Sequence, residues 1–458
     1  MASSLARLAV MSMLPIQIWA AHAAHEPAAA PAVDRPISFA LHPARAKTRY
    51  LMQGDTVMDH PVGEAVILAG HRCPTRQPAT GQLEIDLTGD GTYVTVRPGS
   101  MTIALGSSNG HRGGTIDLAW SRASDGTWTY RTVTELSGML GDERVAIIDV
   151  DGDGAFDHVG VDGIVLGDGA YAFPLPASDE RWCTGKLEIT GLSFGPMGQK
   201  PAAVGRLLAT TTPATLPVLL GINGERRKVG VTPRPEDPAL SAAVQMHCRY
   251  MAATGSLQNE ETAGAPGFSP DGDAAGRESD IARNVEPARA AAHMTAALYH
   301  RQDLLRSDTL AFGLGVERGF IAIDGRRILA PKAVLPILVP APDQHDVPTR
   351  ATRSHADPTP GDHDTGYPIS VRFASSSAVL TTWKLELAGK SGAKSIDCHA
   401  VDAHGGGEIA YNQLYGIVGL IPKDPLQDGL YRVSMTVDVG GTPWSRTWTF
   451  TVGTPKKP

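Results

Sequence analysis

Short apolar runs separated by turn residues dominate residues 38–210 and restrict this part of the chain to β structure. Runs such as LEIDL, YVTVRP, TIDLAW and VAIIDV are bounded by Gly, Asp, Asn and Pro, which is typical of strands joined by turns. We find no repeat with a period of about 20 to 50 residues, so a propeller or a solenoid is disfavoured. The sequence therefore predicts a β-rich domain over residues 38–210.

After this region the pattern becomes helical. The segment PEDPALSAAVQMHCRYMAATG carries the end signals of a helix, with Asp237 as N-cap, Pro238 at the first helical position and Gly255 as the stop. His247 falls on its apolar face, so we expect this histidine to point into the core. Further on, Glu286 and Pro287 begin an alanine-rich stretch that predicts a second continuous helix to about Leu305.

The C-terminal part combines a linker-like stretch with a second β region. Residues 341–366 are rich in Pro, Asp and Thr, which indicates a linker, and residues 367–453 alternate again as strands and predict a small β-sandwich. The linker contains several possible metal ligands, but nothing in it preorganises their side chains. We interpret them as solvated: His345, Asp346, His355, Asp357, Asp362, His363 and Asp364.

The N-terminus predicts export. Arg7 precedes a mostly apolar run over residues 8–20, and small residues suited to cleavage follow it. We expect a signal peptide over residues 1–23 and a flexible lead-in over residues 24–37. The alternative is an uncleaved anchor, but no later segment approaches the roughly 20 apolar residues of a membrane span. The expected location is secreted, periplasmic or at the cell surface, without a membrane span in the mature form.

Charge and cysteine content narrow the partners and the compartment. The 458 residues carry a formal net charge of −7, which gives no basic footprint for nucleic acid. Four cysteines are compatible with an oxidising compartment. Cys73 and Cys183 are the first pair to test, because both lie in the predicted β-rich domain. Buried free thiols are an equally good interpretation of Cys248 and Cys398.

An acidic loop, IIDVDGDGAFDHVGVDG, contains the most specific short motif in the chain. Asp149, Asp151, Asp153 and Asp157 occupy loop positions 1, 3, 5 and 9, a spacing that can direct several carboxylates at one Ca²⁺. Position 12 is Gly160 where an EF-hand has glutamate, and the flanks are strand-like. The loop resembles the DxDxDG repeats of many exported bacterial proteins. We expect structural Ca²⁺; the alternative is an acidic turn that holds no ion tightly.

Two segments, GINGERRKVGVTPRPEDPAL and AAHMTAALYHRQDLLRSDTLAFGLGV, carry a set of short motifs in a fixed order. On these motifs, about residues 219–323 resemble the CAP superfamily of cysteine-rich secretory proteins, antigen 5 and pathogenesis-related 1, in its bacterial SCP-like branch, and we expect a CAP-like domain over residues 219–340. The resemblance implies an α-β-α sandwich with a surface cleft. The segment LIPKDPLQDGLYRVSMTVDVGGTPWSRTWTFTV is similar to bacterial Ig-like modules, so residues 367–453 are expected to form an Ig-like β-sandwich. The expected fold class is multidomain and mainly β, with one α+β domain.

Many members of this superfamily carry two histidines and one or two acidic residues in the cleft, able to hold a divalent metal. His300 matches the later histidine, and Glu278 looks like the glutamate of the family's G-E-N-I-A element. Asn259 stands where the earlier histidine is expected, and Ala297 where a second acid is expected. His293 would lie two turns, about 10.5 Å, from His300 on a straight helix. Zn²⁺ usually takes three or four protein ligands, so we expect no zinc site.

Two functions remain open at this level. The first is an exported, non-catalytic binding or surface module whose ligand is a glycan, a lipid or a protein. The second is a metal-assisted, peptidase-like hydrolase with His300 as metal ligand or base and Glu278 as general acid/base. Because a fold does not supply an activity by itself, the binding module is the favoured prediction.

Overall fold

A computed structural model of the chain describes residues 35–46, 50–52, 58–68, 70–78, 81–105, 114–194, 202–207, 214–353, 356–359, 361, 364–389 and 392–453. The protein is multi-sheet and mainly β. The predicted signal peptide and residues 24–34 of the predicted lead-in lie outside the described residues. Residues 35–37 of that lead-in belong to the first strand. Within the described residues, no helix has the length and apolar character needed to cross a membrane.

The described N-terminal region, up to Leu207, is built of β-strands joined by turns. They form four antiparallel sheets with the orders β4-β5-β6-β7, β3-β10-β9-β8, β14-β13-β12-β11-β2 and β1-β17-β16-β15. Their bounds are β1 (Arg35–Ser38), β2 (His42–Arg45), β3 (His60–Pro61), β4 (Ala65–Leu68), β5 (His71–Arg76), β6 (Leu83–Asp86), β7 (Tyr93–Val96), β8 (Gly99–Leu105), β9 (Gly114–Arg122), β10 (Trp128–Thr132), β11 (Thr134–Leu140), β12 (Glu143–Ile148), β13 (Gly163–Leu166), β14 (Ala172–Pro174), β15 (Trp182–Thr184), β16 (Leu187–Ser193) and β17 (Ala202–Leu207).

Strands β3–β10 form an inserted unit within this region. Strands β2 and β11, which flank the unit in sequence, pair with each other, so the chain leaves the five-stranded sheet and returns to it. The inserted unit has a hydrophobic cluster of its own, which includes Leu83, Ile116 and Trp120. The five-stranded sheet instead contributes to a larger cluster that continues into the rest of the chain.

The four cysteines are free thiols. Cys73 and Cys183, the first pair to test, are not bonded, because Cys73 is buried in the cluster of the inserted unit and Cys183 in the larger cluster. Membership of one predicted β region did not bring the two side chains together. Cys248 is also buried, and Cys398 is partly buried, as the free-thiol interpretation of these two residues requires.

The middle of the chain is an α-β-α sandwich around the antiparallel sheet β18-β20-β19. Alternate residues of β20 point to opposite clusters: Phe320 and Ala322 pack with α2, and Ile321 and Ile323 join the cluster that contains residues of α1 and α4. The elements are α1 (Leu216–Lys228), α2 (Pro238–Thr254), α3 (Pro270–Arg277), β18 (Asp280–Arg283), a 3₁₀ turn (Pro287–Arg289), α4 (Ala290–Thr295), α5 (His300–Leu304), β19 (Gly313–Glu317) and β20 (Phe320–Asp324).

Helix α2 begins and ends where its sequence signals predict. The Asp237 carboxylate accepts the Leu240 amide at 2.9 Å, and Gly255 has the left-handed conformation with φ +69°. The helix packs closely on β19 because Gly315 has no side chain. A Cβ atom on Gly315 would lie 2.8 Å from both the Cys248 Sγ and the Val244 carbonyl oxygen. The layer spacing at this point therefore depends on glycine.

The predicted continuous helix over residues 286–305 is wrong, because the helical conformation is interrupted between Thr295 and His300. The buried Arg301 side chain donates from Nε to the Thr295 carbonyl at 2.7 Å, and the Thr352 amide donates to the Ala296 carbonyl at 3.0 Å. In a continuing helix, amides four residues further on would bond these carbonyls. Tertiary partners take their place, which overrides the helix propensity of the alanine-rich sequence.

The C-terminal region consists of two sheets that share one core. Their orders are β21-β23-β27-β26 and β22-β29-β28-β24-β25, and β22 runs parallel to β29. Buried residues of both sheets, such as Val371 and Val433, belong to one hydrophobic cluster. The elements are β21 (Ile337–Val339), β22 (Gln344–Val347), β23 (Ile369–Arg372), β24 (Ala378–Leu387), β25 (Lys394–Ser395), β26 (Cys398–Val401), α6 (Ile409–Tyr415), β27 (Ile417–Pro422), β28 (Gly429–Val439) and β29 (Thr442–Val452).

This region starts before the predicted linker of residues 341–366. Strand β21 pairs with β23, and β22 pairs with β29, so the first part of the supposed linker belongs to the C-terminal sheets. Two of the histidine and aspartate residues assigned to it, His345 and Asp346, lie on β22. His355, Asp362 and His363 lie outside the described residues. The polar composition was misleading because it is compatible with an edge strand.

Replacing Gly315 with alanine is expected to destabilise the protein by about 1–3 kcal/mol, because the added Cβ would collide with α2. The matched control is Gly224→Ala in helix α1, where a Cβ would meet nothing within 4 Å. There alanine is expected to be neutral or stabilising by up to about 1 kcal/mol. Urea unfolding of both variants measures the difference. Equal effects of the two substitutions would contradict the close approach of α2 to β19.

Candidate functional site

The acidic loop follows β12 and is folded around two buried carboxylates. The Asp149 carboxylate accepts the Gly152 and Gly154 amides at 2.7 and 2.8 Å and the Thr132 hydroxyl at 2.6 Å. The Asp162 carboxylate accepts the amides of Val150 and His158 at 3.0 and 2.9 Å. The loop backbone therefore wraps around oxygen atoms supplied by both of its ends.

Two overlapping groups of possible metal ligands lie in this loop. The oxygens of Asp149, Asp151 and Asp162 lie within 4.8 Å of one another, and so do the ligand atoms of Asp151, Asp153 and His158. The structure thus brings together three of the four predicted residues, while Asp157 belongs to neither group. Asp162 was missed because it stands at loop position 14, outside the EF-hand register used for the prediction. The Asp162-Gly163 pair at the end of the loop was the sequence signal that could have identified Asp162.

Burial and mutual repulsion govern the charge of these carboxylates. Burial raises the pKa of Asp149 to about 8, and the nearby Asp162 and Asp153 add to the shift. Burial also raises the pKa of Asp162 to about 7. The pKa of Asp151 is instead lowered, because the His158 Nδ1 lies 2.9 Å from its carboxylate and this contact outweighs burial. Ionising the two buried carboxyl groups is therefore costly unless a cation compensates their charge.

The loop lies between the inserted unit and the five-stranded sheet. Thr132, whose hydroxyl bonds Asp149, is the last residue of β10 in the inserted unit. His60 of β3 places its Nε2 2.8 Å from the Val150 carbonyl. Gly152 packs so closely that a Cβ would lie 2.7 Å from the His60 ring. The loop is thereby in contact with both structural units.

A second cluster of charged groups surrounds His300, at the start of α5. The His300 Nδ1 lies 2.5 Å from Oδ1 of Asp280, the first residue of β18. The Asp280 side chain is 4% exposed and the His300 side chain 24%. Burial alone would lower the pKa of His300, but the charge of Asp280 and its hydrogen bond outweigh burial and raise this pKa.

A second ion pair lies beside the first and joins the C-terminal region to the site. Arg326 donates from Nε to the Asp303 Oδ2 at 2.8 Å, and its Nη2 lies 2.7 Å from the same oxygen. The same oxygen accepts the Tyr415 hydroxyl, at the end of α6, at 2.9 Å. The Arg326 Nη1 also lies 3.7 Å from the Glu278 carboxylate. One oxygen each of Asp280 and Asp303 is buried without a hydrogen-bond partner.

The remaining predicted cleft residues have distinct roles in this geometry. Asn259 does not bond His300; its amide group donates to the carbonyls of Gly276 and Ser279 at 2.8 and 2.7 Å. It therefore fixes the backbone that leads to β18. Glu278 remains about half-exposed beside Arg326.

The two other histidines of this region also differ from each other. His247 is fully buried, as predicted, and places its Nδ1 3.0 Å from Glu261. His293 lies on α4, which ends before His300, so the spacing argument from a straight helix does not apply. Burial, and then the charge of His300, lower the pKa of His293.

Asp280 is the partner of His300 that the sequence interpretation missed. In GRESDIA we matched the glutamate to the family element, whereas Asp280 lies two residues further on. The sequence signal for Asp280 was its position at the start of a strand, directly before two apolar residues. Only the antiparallel pairing of β18 with β20 fixes its side chain beside α5.

Comparison with known proteins relates the segment around His300 to one family. Residues 219–320 match the family model of CAP, described as the cysteine-rich secretory protein family. The segment is a CAP domain. It covers less than a quarter of the 458-residue chain, and His300, Asp280 and Glu278 all lie within it. No curated protein matches the chain.

Several solved structures are similar to parts of the chain. An extracellular protein containing an SCP domain from Bacillus anthracis str. Ames is 13% identical over 58% of this chain and 88% of its own, with a TM-score of 0.20. A cysteine-rich secretory protein from Staphylococcus aureus subsp. aureus Mu50 is 12% identical over 61% and 98%, with a TM-score of 0.19. The copper resistance protein PcoC from Escherichia coli is 22% identical over 25% and 92%, with a TM-score of 0.17. These scores are low, so the CAP assignment rests on the family model.

Tyr415→Phe should destabilise the protein by about 1–3 kcal/mol, because it removes one donor from the buried Asp303 carboxylate. Tyr411→Phe is the matched control, since Tyr411 lies on the exposed side of the same helix and should change stability by less than about 0.5 kcal/mol. Chemical unfolding of the full chain gives both values. A silent Tyr415→Phe variant would show that the C-terminal region does not support the CAP-domain site.

Proposed function

We propose that the protein is an exported, non-catalytic binding module of the cell surface or extracellular space, with the CAP domain as its ligand-binding part. One observation carries the proposal: the three predicted cleft residues each already have a protein partner. His300 pairs with Asp280, Glu278 lies beside Arg326, and the Asn259 amide is bonded to backbone carbonyls. Such an arrangement suits recognition by a preformed surface better than turnover.

The same proposal assigns the C-terminal sheets to a bacterial Ig-like module and the N-terminus to a cleaved signal peptide. In support of the first, two mainly antiparallel sheets share one core. We propose a glycan, a lipid or a protein of the extracellular space as the ligand. The alternative of a peptidase-like hydrolase requires His300 and Glu278 to act on a substrate, and both are held by opposite charges.

Binding and hydrolysis can be separated with isolated cell-wall sacculi. Full-length protein produced in a bacterium should be recovered outside the cytosol, and its mass should correspond to a chain that begins after Ala23. This product should sediment with sacculi and release no soluble fragments. Fragments that disappear in Glu278→Gln would establish the hydrolase instead, and an unprocessed cytosolic product would refute export. Liposomes incubated in parallel report a lipid ligand.

We also propose that the acidic loop holds a structural Ca²⁺. Its donors are carboxylate oxygens, which this hard cation prefers, and they converge within 4.8 Å. Neutralising the charge of Asp149 and Asp162 would offset the cost of burying them. Asp149, Asp151 and Asp162 are the proposed ligands, with Asp153 beside them. The ion would support the junction between the inserted unit and the five-stranded sheet.

Millimolar Ca²⁺ should therefore stabilise the protein, by about 1.4–2.7 kcal/mol at a ten- to hundredfold excess over the Kd. Asp162→Asn should abolish most of this gain, whereas Asp157→Asn should keep it, because Asp157 lies outside both ligand groups. Thermal unfolding with Ca²⁺ or a chelator measures the gain within each variant. The reverse result, with loss in Asp157→Asn alone, would favour the EF-hand register over the observed geometry.

A further inference from the structure

The inserted unit, strands β3–β10, has a hydrophobic core that it shares with no other part of the described chain. Its cluster runs from Val66 to Tyr130 in sequence and contains no residue from outside the unit. The apolar residues of the five-stranded sheet belong to two other clusters, to which the unit contributes none of its described residues. A domain with a core of its own can in principle fold alone. The orientation of the unit is therefore set by contacts outside any shared core.

The chain enters and leaves the inserted unit at one place. His60, at the start of the unit, and Tyr130, near its end, are partners in the antiparallel pairing of β3 with β10. The two connections to the rest of the chain therefore lie side by side, as is usual when one domain is inserted into another. Such an attachment leaves the angle of the unit to be determined by contacts near this point.

The acidic loop contacts both of these connections. The Thr132 hydroxyl, at the end of β10, donates to the Asp149 carboxylate at 2.6 Å. On the neighbouring strand, the His60 Nε2 lies 2.8 Å from the Val150 carbonyl oxygen. One short segment of the loop is thus bonded to the strand that enters the unit and to the strand that leaves it.

Gly152 brings the same loop into close contact with the unit. A Cβ atom on Gly152 would lie 2.7 Å from the His60 ring and 3.2 Å from the Tyr130 ring. The approach is therefore possible only without a side chain at this position. Together with the two hydrogen bonds, it fits the loop against one orientation of β3 and β10.

Outside the loop, hydrogen bonds also join the unit to the sheet. Arg45 donates to the Ser100 hydroxyl at 2.6 Å on the exposed surface. Beside the second connection, the Asp117 amide donates to the Thr134 hydroxyl at 2.7 Å, and the Asp117 carbonyl accepts the Val133 amide at 2.8 Å. Domains that meet without a large apolar interface can move relative to one another.

We propose that the acidic loop is a latch between two separately folded bodies, whose contacts to β3 and β10 hold the inserted unit at one angle to the five-stranded sheet. Loss of these contacts leaves both bodies folded and lets the unit turn about its two adjacent connections. The latch consists of protein groups alone, so it does not depend on the Ca²⁺ proposed above. It gives the N-terminal region a conformational device that is separate from the binding function of the CAP domain.

The angle of the unit can be measured by pulsed electron spin resonance with pairs of nitroxide labels on the full-length protein, in excess chelator. Val94→Cys on β7 and Met139→Cys on β11 place one label on each body, at residues with exposed side chains. Ile67→Cys combined with Val94→Cys places both labels on the unit and reports whether its fold is intact. Cys398→Ser is present in every sample, because the other three native cysteines are buried.

With the native loop, both label pairs should give one narrow distance distribution. Gly152→Ala, whose added Cβ would collide with the His60 ring, should shift or broaden the distribution between the bodies and leave the one within the unit unchanged. Thr132→Val, which removes the donor to Asp149, should have the same effect. Gly160→Ala is the matched control, because Gly160 has the same φ of +75° but a Cβ there meets nothing within 4 Å. It should keep both distributions.

Three results would overturn the latch: a broad distribution between the bodies with the native loop, unchanged distances in both Gly152→Ala and Thr132→Val, or equal effects of Gly152→Ala and Gly160→Ala. Broadening of the distances within the unit would overturn it as well, because the unit would then not keep its fold independently of the loop.

Discussion

A buried arginine next to the candidate histidine holds the CAP domain and the C-terminal sheets together. Arg301 is fully buried and donates to the carbonyls of Thr295 and Pro368 at 2.7 and 2.8 Å, and its guanidinium lies 4.6 Å from the Tyr367 ring centroid. Burying a cation is costly unless its donors find acceptors. Here Nε and Nη1 find them, while Nη2 has no hydrogen-bond partner among the described residues. Because these acceptors come from both regions, the break before α5 is fixed by tertiary contacts. The position of His300 follows from that break.

The C-terminal region is consequently part of the environment of the cleft. Tyr415 bonds the carboxylate that holds Arg326, and the Tyr299 hydroxyl lies 3.2 Å from Asn412 and accepts the Glu408 amide at 2.8 Å. An isolated CAP segment would expose these polar groups and the apolar surface around them. The unit that folds around His300 therefore extends beyond the residues that match the family.

Features that depend only on neighbouring residues could be predicted from the sequence. The ends of α2 are an example, because a capping carboxylate, a proline in the first turn and a left-handed glycine need no distant partner. The acidic loop is a local feature for the same reason, although Asp157 of the predicted set lies outside both groups of possible ligands and Asp162, which was not predicted, belongs to one. Non-local features were missed. Strand β22 pairs in parallel with β29, about a hundred residues later, and Asp280 meets His300 only through sheet packing. The prediction of one helix in the alanine-rich segment was wrong because two of its carbonyls bond groups outside the helix.

The resemblance to CAP proteins correctly indicated the α-β-α layers. A family match does not, however, identify the side chains that contact the cleft residues of this chain.

The two carboxylate clusters differ in how their charge is compensated. In the acidic loop, backbone amides and a hydroxyl bond Asp149 and Asp162, and within the described residues neither forms an ion pair with lysine or arginine. Such hydrogen bonds reduce the cost of burial without cancelling the charge, so a cation has a strong electrostatic reason to enter. In the CAP domain, by contrast, Asp303 is paired with Arg326 and Asp280 lies against the His300 ring. The two clusters thus differ in what faces their carboxylates: backbone amides and a hydroxyl in the acidic loop, and side chains able to carry positive charge in the CAP domain.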